Sequence, residues 1–475
     1  METPPTMALL NGENLRRAGR DVAAPFDIEM ADGERLTVEA VLRLLPGKRL
    51  TAKACFQGRS VLGKVFFARN GFRRQMKREI DGLELLHRRN LPAPLMLDNR
   101  SLAGGGGVLL IENLAPAESV MERWQSLGAN EGDGEAQIKI LEPLFTQVGR
   151  MHRAGLCQKD LHFANFLCHQ GQLKIVDGGG IAPCRWTWQR LENLGLLAAQ
   201  LPADLTRSFP RLLAAYHQGR GKDEITAESL SRAAQKQRRK RLEDYLGKTL
   251  RDSSGFCVAR GFRRFSSMVR SASPWLEELV TDPDTTMAQS EPLKLGGGTT
   301  VVLVKLAGHS VVVKRYNRGG FRRHFRRFWR RSRARKAWLN GHRLRQSGID
   351  TPRPLALIEE RWGPLCDRSW LVTEYVEGEN ILELMARCKE EPPAAAGEAL
   401  TALFEALRRE RISHGDMKGT NLIWRNGKFW LIDLDAMKVH KNGFTFEKAW
   451  KKDKERFLRN WNEIDILKRK NNFKF

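Results

Sequence analysis

Apolar positions along the chain recur in the same arrangement twice. Leu144, Val148 and Met151 are spaced i, i+4, i+7, one face of a helix, and Leu400, Phe404 and Leu407 repeat the stripe. Each stripe leads into a loop with Asp and Asn, then a short apolar run ending in Asp: Leu173-Lys174-Ile175-Val176-Asp177 and Phe429-Trp430-Leu431-Ile432-Asp433. The differences 416 − 160 and 421 − 165 for the loop Asp and Asn, 427 − 171 for a glycine and 433 − 177 for the terminal Asp are all 256. A constant offset through helix, loop and strand marks a duplication.

Upstream the match continues with small slips. Val61 to Phe67 answers Val311 to Tyr316, each a predicted strand with one lysine, Lys64 or Lys314. Leu91-Pro92-Ala93-Pro94-Leu95 answers Thr351-Pro352-Arg353-Pro354-Leu355, and Leu109 to Asn113 answers Leu371 to Tyr375. The pattern predicts a 1–24 extension, loosely held, then a first domain over 25–245. A helical connecting segment over 246–288 and a second domain over 289–475 follow. Gln235 to Arg241 opens a basic helical stretch, Thr281 to Thr286 reads as an exposed turn near the boundary, and Phe446 to Leu467 as a closing basic helix.

The chain has 475 residues, 41% hydrophobic and 29% charged, which excludes wholesale disorder and suits two cores. Lys plus Arg is 81 against 55 for Asp plus Glu, a net charge of +26 that calls for a polyanionic neighbour. Seven scattered cysteines without a CxxC pair support neither a disulfide framework nor a zinc cluster, and a reducing compartment is expected. Met1 to Asp21 has no apolar signal-peptide core, and no apolar run is long enough for a membrane span, so a cytosolic chain is expected, free to touch a membrane from outside.

Per half, the chemistry-bearing set is a strand lysine, an Asp followed five residues later by Asn, and a strand-terminal Asp twelve further on. Phosphoryl transfer from a nucleotide uses such a set. The lysine neutralises the α/β-phosphates, the Asn and second Asp offer hard oxygens to magnesium, and the first Asp orients and deprotonates an attacking hydroxyl.

With Met151-His152-Arg153-Ala154-Gly155 leading into Asp160, Glu112-Asn113-Leu114-Ala115-Pro116, and Arg78-Glu79 before Pro92, the sequence resembles the protein-kinase-like fold. Within that fold it is similar to the lipopolysaccharide core heptose/Kdo kinases of Gram-negative bacteria. The resemblance covers both halves and implies an α+β chain of two tandem protein-kinase-like domains, each with a small β-rich N-lobe and a helical C-lobe. It implies ATP and Mg2+ as cofactors, a lipopolysaccharide core glycolipid as acceptor, and a place on the cytoplasmic face of the inner membrane. Carried over by position, Lys64 is the phosphate lysine and Glu79 its helix partner, Asp160 the catalytic base, and Asn165 and Asp177 the magnesium ligands. In the second half the roles fall on Lys314, Asp416, Asn421 and Asp433, and Lys418 matches a lysine that contacts the transferred phosphate. Glu112 and Glu374 fall where the backbone holds the adenine edge. Gly47, and Gly296 and Gly298, fall in the hairpin turns that cover the phosphates.

The departures are informative. Gln158 stands where the pattern has His, which His414 keeps. Asp177-Gly178-Gly179 and Asp433-Leu434-Asp435 each lack the usual Phe and Gly together. No acid occurs from Asn317 to Ile349, and Ala337 stands at the position of Glu79, which leaves Lys314 without a helix carboxylate. The first half is therefore expected to be the more competent. His152 and His162 are read as packing or surface residues, Cys157 and Cys168 as small buried ones, and Asp435 as either a metal ligand or a turn cap. The run Phe321 to Arg333 puts Phe321, Phe325, Phe328 and Trp329 on one side of a basic helix, either docked on the core or lying on an anionic membrane. No nucleic-acid partner is expected, since no zinc-finger, RRM-like or helix-turn-helix signature occurs. A full or partial pseudokinase scaffold in lipopolysaccharide core assembly, or another small-molecule or protein kinase, stays open as the alternative.

Overall fold

The computed structural model describes residues 8–127, 134–202, 204–222, 225–294, 298–317, 331–363, 365–388 and 394–459. Contacts along the chain divide it into two units, Met1–Lys240 and Arg241–Phe475. The architecture is α+β, with a β-rich N-lobe and a helical C-lobe in each unit.

In the first unit seven strands form one sheet in the order Leu9–Leu10, Phe26–Glu29, Arg35–Leu45, Arg49–Phe56, Arg59–Phe66, Gly107–Glu112 and Met96–Ser101. Leu50, Ala52, Ala54 and Phe56 alternate inward along their strand, and they pack with Phe26, Ile28, Leu36 and Val38. The helix Phe72–Arg88 buries Leu83 and Leu86 in a second cluster, which it shares with the helix Gly134–Arg153. There Leu144, Val148 and Met151 are buried, as their spacing predicts.

The second unit repeats the plan with different strand usage. Its sheet order is Phe256–Arg260, Arg264–Val269, Pro354–Trp362, Leu365–Glu374, His309–Tyr316, Thr299–Leu306 and Glu291–Lys294. Leu400, Phe404 and Leu407 are buried on the helix Ala394–Arg409. In both sheets the lysine strand lies between its hairpin partner and the strand that ends in Glu112 or Glu374. The lysine is thereby held in the middle of a sheet, where its backbone is paired on both sides.

Three expectations about the chain's organisation change. The 1–24 extension is not loose from residue 8 on. Leu9–Leu10 pairs in parallel with Phe26–Glu29, and Asn11 caps the helix Gly12–Ala18, whose Leu15 is fully buried. Arg16 donates to the carbonyls of Phe67, Gly104 and Gly105. The 246–288 segment is not a connector, because Phe256–Arg260 and Arg264–Val269 are strands of the second sheet and bury Phe265, Met268 and Val269. Thr281 to Thr286 is not an open turn either: Asp282 caps the short helix Pro283–Ala288, and Asp284 pairs with Arg315 and Arg368. The run 235–241 lies inside the helix Ala227–Lys248, and the closing helix spans Gly443–Arg459. Of the proposed basic helix, residues 318–330 lie outside the described residues, as do Gly296 and residues 460–467.

No helix among the described residues is long and apolar enough to cross a membrane.

Candidate active site

Each unit brings its lysine, loop Asp, loop Asn and strand-terminal Asp into one region between its lobes. The loop geometry is the same in both. Asn165 Nδ2 donates to the Asp160 carbonyl at 2.7 Å, and Asn421 Nδ2 donates to the Asp416 carbonyl at 2.8 Å. The Val176 amide reaches the Asn165 carbonyl at 3.0 Å, and the Ile432 amide reaches that of Asn421 at 3.0 Å. The five-residue spacing thus closes a loop in which the Asn nitrogen is spent on the backbone, leaving its side-chain oxygen available.

In the first unit Lys64 forms an ion pair with Glu79, which is 2% exposed at its side chain. Glu79 also accepts from the amides of Gly178 at 3.1 Å and Gly179 at 3.0 Å. This explains the Asp177-Gly178-Gly179 departure. A Cβ at Gly178 would lie 2.5 Å from the Glu79 carbonyl oxygen, and one at Gly179 would lie 2.6 Å from its carboxylate. The helix therefore approaches the chain directly after Asp177 too closely for side chains there. Among the described residues nothing hydrogen-bonds or pairs with the Asp177 carboxylate, and Asp160 is exposed.

In the second unit Ala337 is buried in the helix Arg333–Gln346, and no carboxylate of that helix meets Lys314, as the sequence predicts. Lys314 is nonetheless not free to swing. Its ammonium pairs with Asp433 at 2.6 Å. Asp433 reaches it from a left-handed backbone, with φ of +62°, a conformation Asp tolerates better than most residues. Burial pushes the Asp433 carboxyl up, and the charge and hydrogen bond of the Lys314 ammonium outweigh this and leave it below the ordinary range. Asp435 is neither a free metal ligand nor a simple cap: Arg333 holds it at 2.5 Å. Asp416 is half-buried, with Lys418 at 3.0 Å and Arg456 at 3.5 Å from its oxygens.

The loop anchors differ in residue but not in task. His414 Nε2 bonds the Ile432 carbonyl at 2.9 Å, while Gln158 Nε2 donates to the Asp177 carbonyl at 3.0 Å. Both tie the loop to the strand end. Two further anchors have no signal in the motif spacing. Asn193 Nδ2 donates to the Gln158 carbonyl at 2.6 Å, and Asp453 accepts from the amides of His414 at 2.7 Å and Gly415 at 2.9 Å. Asp453 stands among lysines in Lys451-Lys452-Asp453-Lys454 yet is buried, whereas Glu447 and Glu455 of the same helix are exposed. His152 is a packing residue, bonded to Tyr216 at 2.9 Å and Asn193 at 3.0 Å, and burial lowers it to about 4. Cys157 and Cys168 are only half-buried. A hydrogen bond from Cys184 brings the Cys157 thiol down to about 7.

The remaining candidates sit around the clefts. Gly47, at φ +66°, turns the hairpin between Arg35–Leu45 and Arg49–Phe56, and Gly298 precedes the strand Thr299–Leu306. Glu112 Oε2 accepts from the Leu95 amide at 3.1 Å and from Lys174 at 3.0 Å, and Glu374 Oε1 accepts from the Arg353 amide at 2.8 Å. Both side chains thus brace the backbone at the strand end. In the second unit Lys314, Glu374, Asn421 and Asp433 line a cleft of about 450 Å³ with Val301, Val312 and Ile432. Apolar walls with a few polar groups suit an adenine ring and its phosphates.

Among the described residues no group of three or more His, Cys, Asp or Glu is placed to hold a metal ion. Each unit instead offers one Asn oxygen and one Asp carboxylate. That set fits magnesium, which takes one or two carboxylates and leaves its other positions to phosphate and water.

A family model described as "Lipopolysaccharide kinase (Kdo/WaaP) family" matches residues 65–178 and 289–473, together more than half of the chain. The first match opens one residue after Lys64 and closes one residue after Asp177. Among solved structures, "WaaP in complex with acyl carrier protein" is 18% identical, with a TM-score of 0.33, over 44% of this chain and 90% of that one. No curated protein matches the chain.

Proposed function

The chain belongs to the Lipopolysaccharide kinase (Kdo/WaaP) family, and from that premise we propose that it transfers the γ-phosphoryl group of ATP to a sugar hydroxyl of the lipopolysaccharide inner core. The acceptor sugar is heptose or Kdo, and the reaction belongs at the cytoplasmic face of the inner membrane. A net charge of +26 suits a polyanionic, membrane-held acceptor.

The observation that carries the reading is the loop made twice from the same parts, Asp160 with Asn165 and Asp416 with Asn421, each opposite a sheet lysine. Asp160 and Asp416 take the proton from the attacking hydroxyl as its oxygen bonds to the γ-phosphorus and the bond to ADP breaks. Lys64 and Lys314 neutralise the phosphates, and Lys418 contacts the group in transfer. Asn165 with Asp177, and Asn421 with Asp433, hold magnesium, which when bound neutralises charge on the phosphates. The backbone at Glu112 and Glu374 holds the adenine edge, and the chain at Gly47 in the first unit and at Gly298 in the second closes over the phosphates.

One observation favours a scaffold role for the second unit: Lys314 and Asp433, phosphate lysine and metal ligand, are paired with each other. The deciding experiment is mass spectrometry of core oligosaccharide from cells with and without the protein, joined to ATP-dependent labelling of deacylated core by the purified full-length chain. A core unchanged in its phosphates, and no labelling in vitro, would refute the kinase reading.

A further inference from the structure

The second unit has a larger cavity that the catalytic set does not use. It is open to solvent and measures about 1080 Å³ beside the catalytic loop, with Gly415 on its wall. Its acids are all engaged. Glu243 pairs with Arg343, Asp435 with Arg333, and Asp453 accepts the amides of His414 and Gly415. Lys438, Lys448 and Lys452 line the same cavity, are exposed, and have no carboxylate partner among the described residues. Phe444 adds an aromatic ring that is 82% exposed. Arg456 also lines the cavity, donates to the Gly415 carbonyl and lies 3.5 Å from Asp416, so it links the wall to the base.

We infer that this cavity is where the second unit holds its acceptor, and that the acceptor is a sugar already bearing phosphate or carboxylate groups. The inference rests on the kinase reading and specifies its substrate. Three ammonium groups with no carboxylate partner among the described residues, around a space with no spare carboxylate among them, select an anion with several charges. An exposed aromatic face suits the apolar side of a sugar ring, which a bare phosphate or a metal would not need. Gly415 on the cavity wall immediately precedes Asp416, so a sugar held in the cavity would have a hydroxyl within reach of that carboxylate. Nucleic acid would meet the same lysines, but a single exposed ring beside them offers no row of aromatic faces for successive bases.

The test uses the full-length chain and two probes, deacylated lipopolysaccharide core oligosaccharide and the same material stripped of phosphate with hydrofluoric acid. The variant Lys438→Gln/Lys448→Gln/Lys452→Gln alters exposed side chains, and its thermal melt checks the fold. Calorimetry should show it binding the intact oligosaccharide at least about tenfold more weakly, as expected for loss of several charge contacts. MgATP affinity is measured alongside and is expected to hold. Phe444→Ala should weaken the oligosaccharide by a smaller factor. Wild-type affinity lost on stripping assigns the charge to phosphate, and affinity kept assigns it to carboxylate. Unchanged oligosaccharide binding in the triple variant overturns the inference, as does a wild-type chain that binds MgATP but not the oligosaccharide. A triple variant that loses only retention on DNA or on phosphatidylglycerol vesicles overturns it too. The two readings fail separately. Transfer with a wild-type KM in the triple variant removes the cavity and leaves the kinase, whereas triple-dependent binding without any transfer removes the kinase and leaves the cavity.

Discussion

In the first unit Lys64 is held by Glu79, a helix carboxylate with no other proposed task, while among the described residues nothing pairs with the Asp177 carboxylate. In the second unit Lys314 is held by Asp433, the carboxylate that is also proposed to hold magnesium. On the proposed reading the same fold therefore separates the holding of the lysine from the holding of the metal in one copy and merges them in the other. On the loop side the contrast runs the other way. Asp160 is exposed, whereas Asp416 has Lys418 and Arg456 at hand and a basic cavity beside it. On the proposed reading the first copy is the better assembled toward nucleotide, and the second toward an anionic acceptor.

The bluntest way to break this comparison is at the loop aspartates. Asp160→Ala and Asp416→Ala are each expected to slow transfer by the unit concerned on the order of 10²–10⁴-fold, the usual reach of a positioned base. Labelling of deacylated core by the single and double variants measures it, and a double variant within a few-fold of wild type would take both residues out of the chemistry.

The lysines sharpen the comparison. Lys64→Ala should cost on the order of 10²-fold in single-turnover transfer by the full-length chain, as for loss of one fixed electrostatic donor. Lys314→Ala should cost less, because Asp433, the carboxylate that positions Lys314 among the described residues, is also the one that would hold magnesium. Equal losses sink the asymmetry, and a larger loss for Lys314→Ala reverses it.

A third comparison is by acid. Burial holds His152 of the first unit at about 4 and His342 of the second at about 3. Both lie below the unfolded value, so the folded chain binds fewer protons than the unfolded one. The resulting stability is present above about pH 6.5 and falls as the pH drops toward the folded values, by about 2 kcal/mol per histidine between pH 7 and pH 5. Thermal melts at the two pH values should show this loss, and His152→Gln and His342→Gln should each shrink it. An unchanged pH dependence in both variants would mean that other groups carry it.

The smallest effect is expected from Gln158→His, which gives the first unit the second unit's loop anchor. Each side chain makes one bond to a strand-end carbonyl, so stability should move by no more than about 1 kcal/mol, with transfer little changed. A variant that melts much earlier would show that the anchors are not interchangeable.

What could be read in the sequence was what repeats. The 256-residue offset located the loop, the strand and the buried helix face, and the absence of acid after Asn317 correctly denied Lys314 a helix partner. What could not be read depends on one residue's backbone or on distant pairing. Asp433 meets Lys314 only because its backbone is left-handed, and no local pattern announces that for an Asp between Ile432 and Leu434. Phe256–Arg260 and Arg264–Val269 were hidden because Arg260 to Arg264 puts charge and glycine at a hairpin turn, which in isolation resembles linker. Asn193 and Asp453 act across helix and loop at separations that spacing arguments do not span.

The parallel strand Leu9–Leu10 bears on how this protein can be handled. It occupies the outer edge of the first sheet, and behind it Leu15 plugs the core while Arg16 clasps the Gly104–Gly105 bend. A chain trimmed to begin at residue 25, where the sequence alone puts the start of the domain, would leave the Phe26–Glu29 edge bare over an unplugged core. An uncovered strand of that kind invites pairing with another molecule. The polar-looking leader works as a gasket, and soluble material depends on leaving it attached.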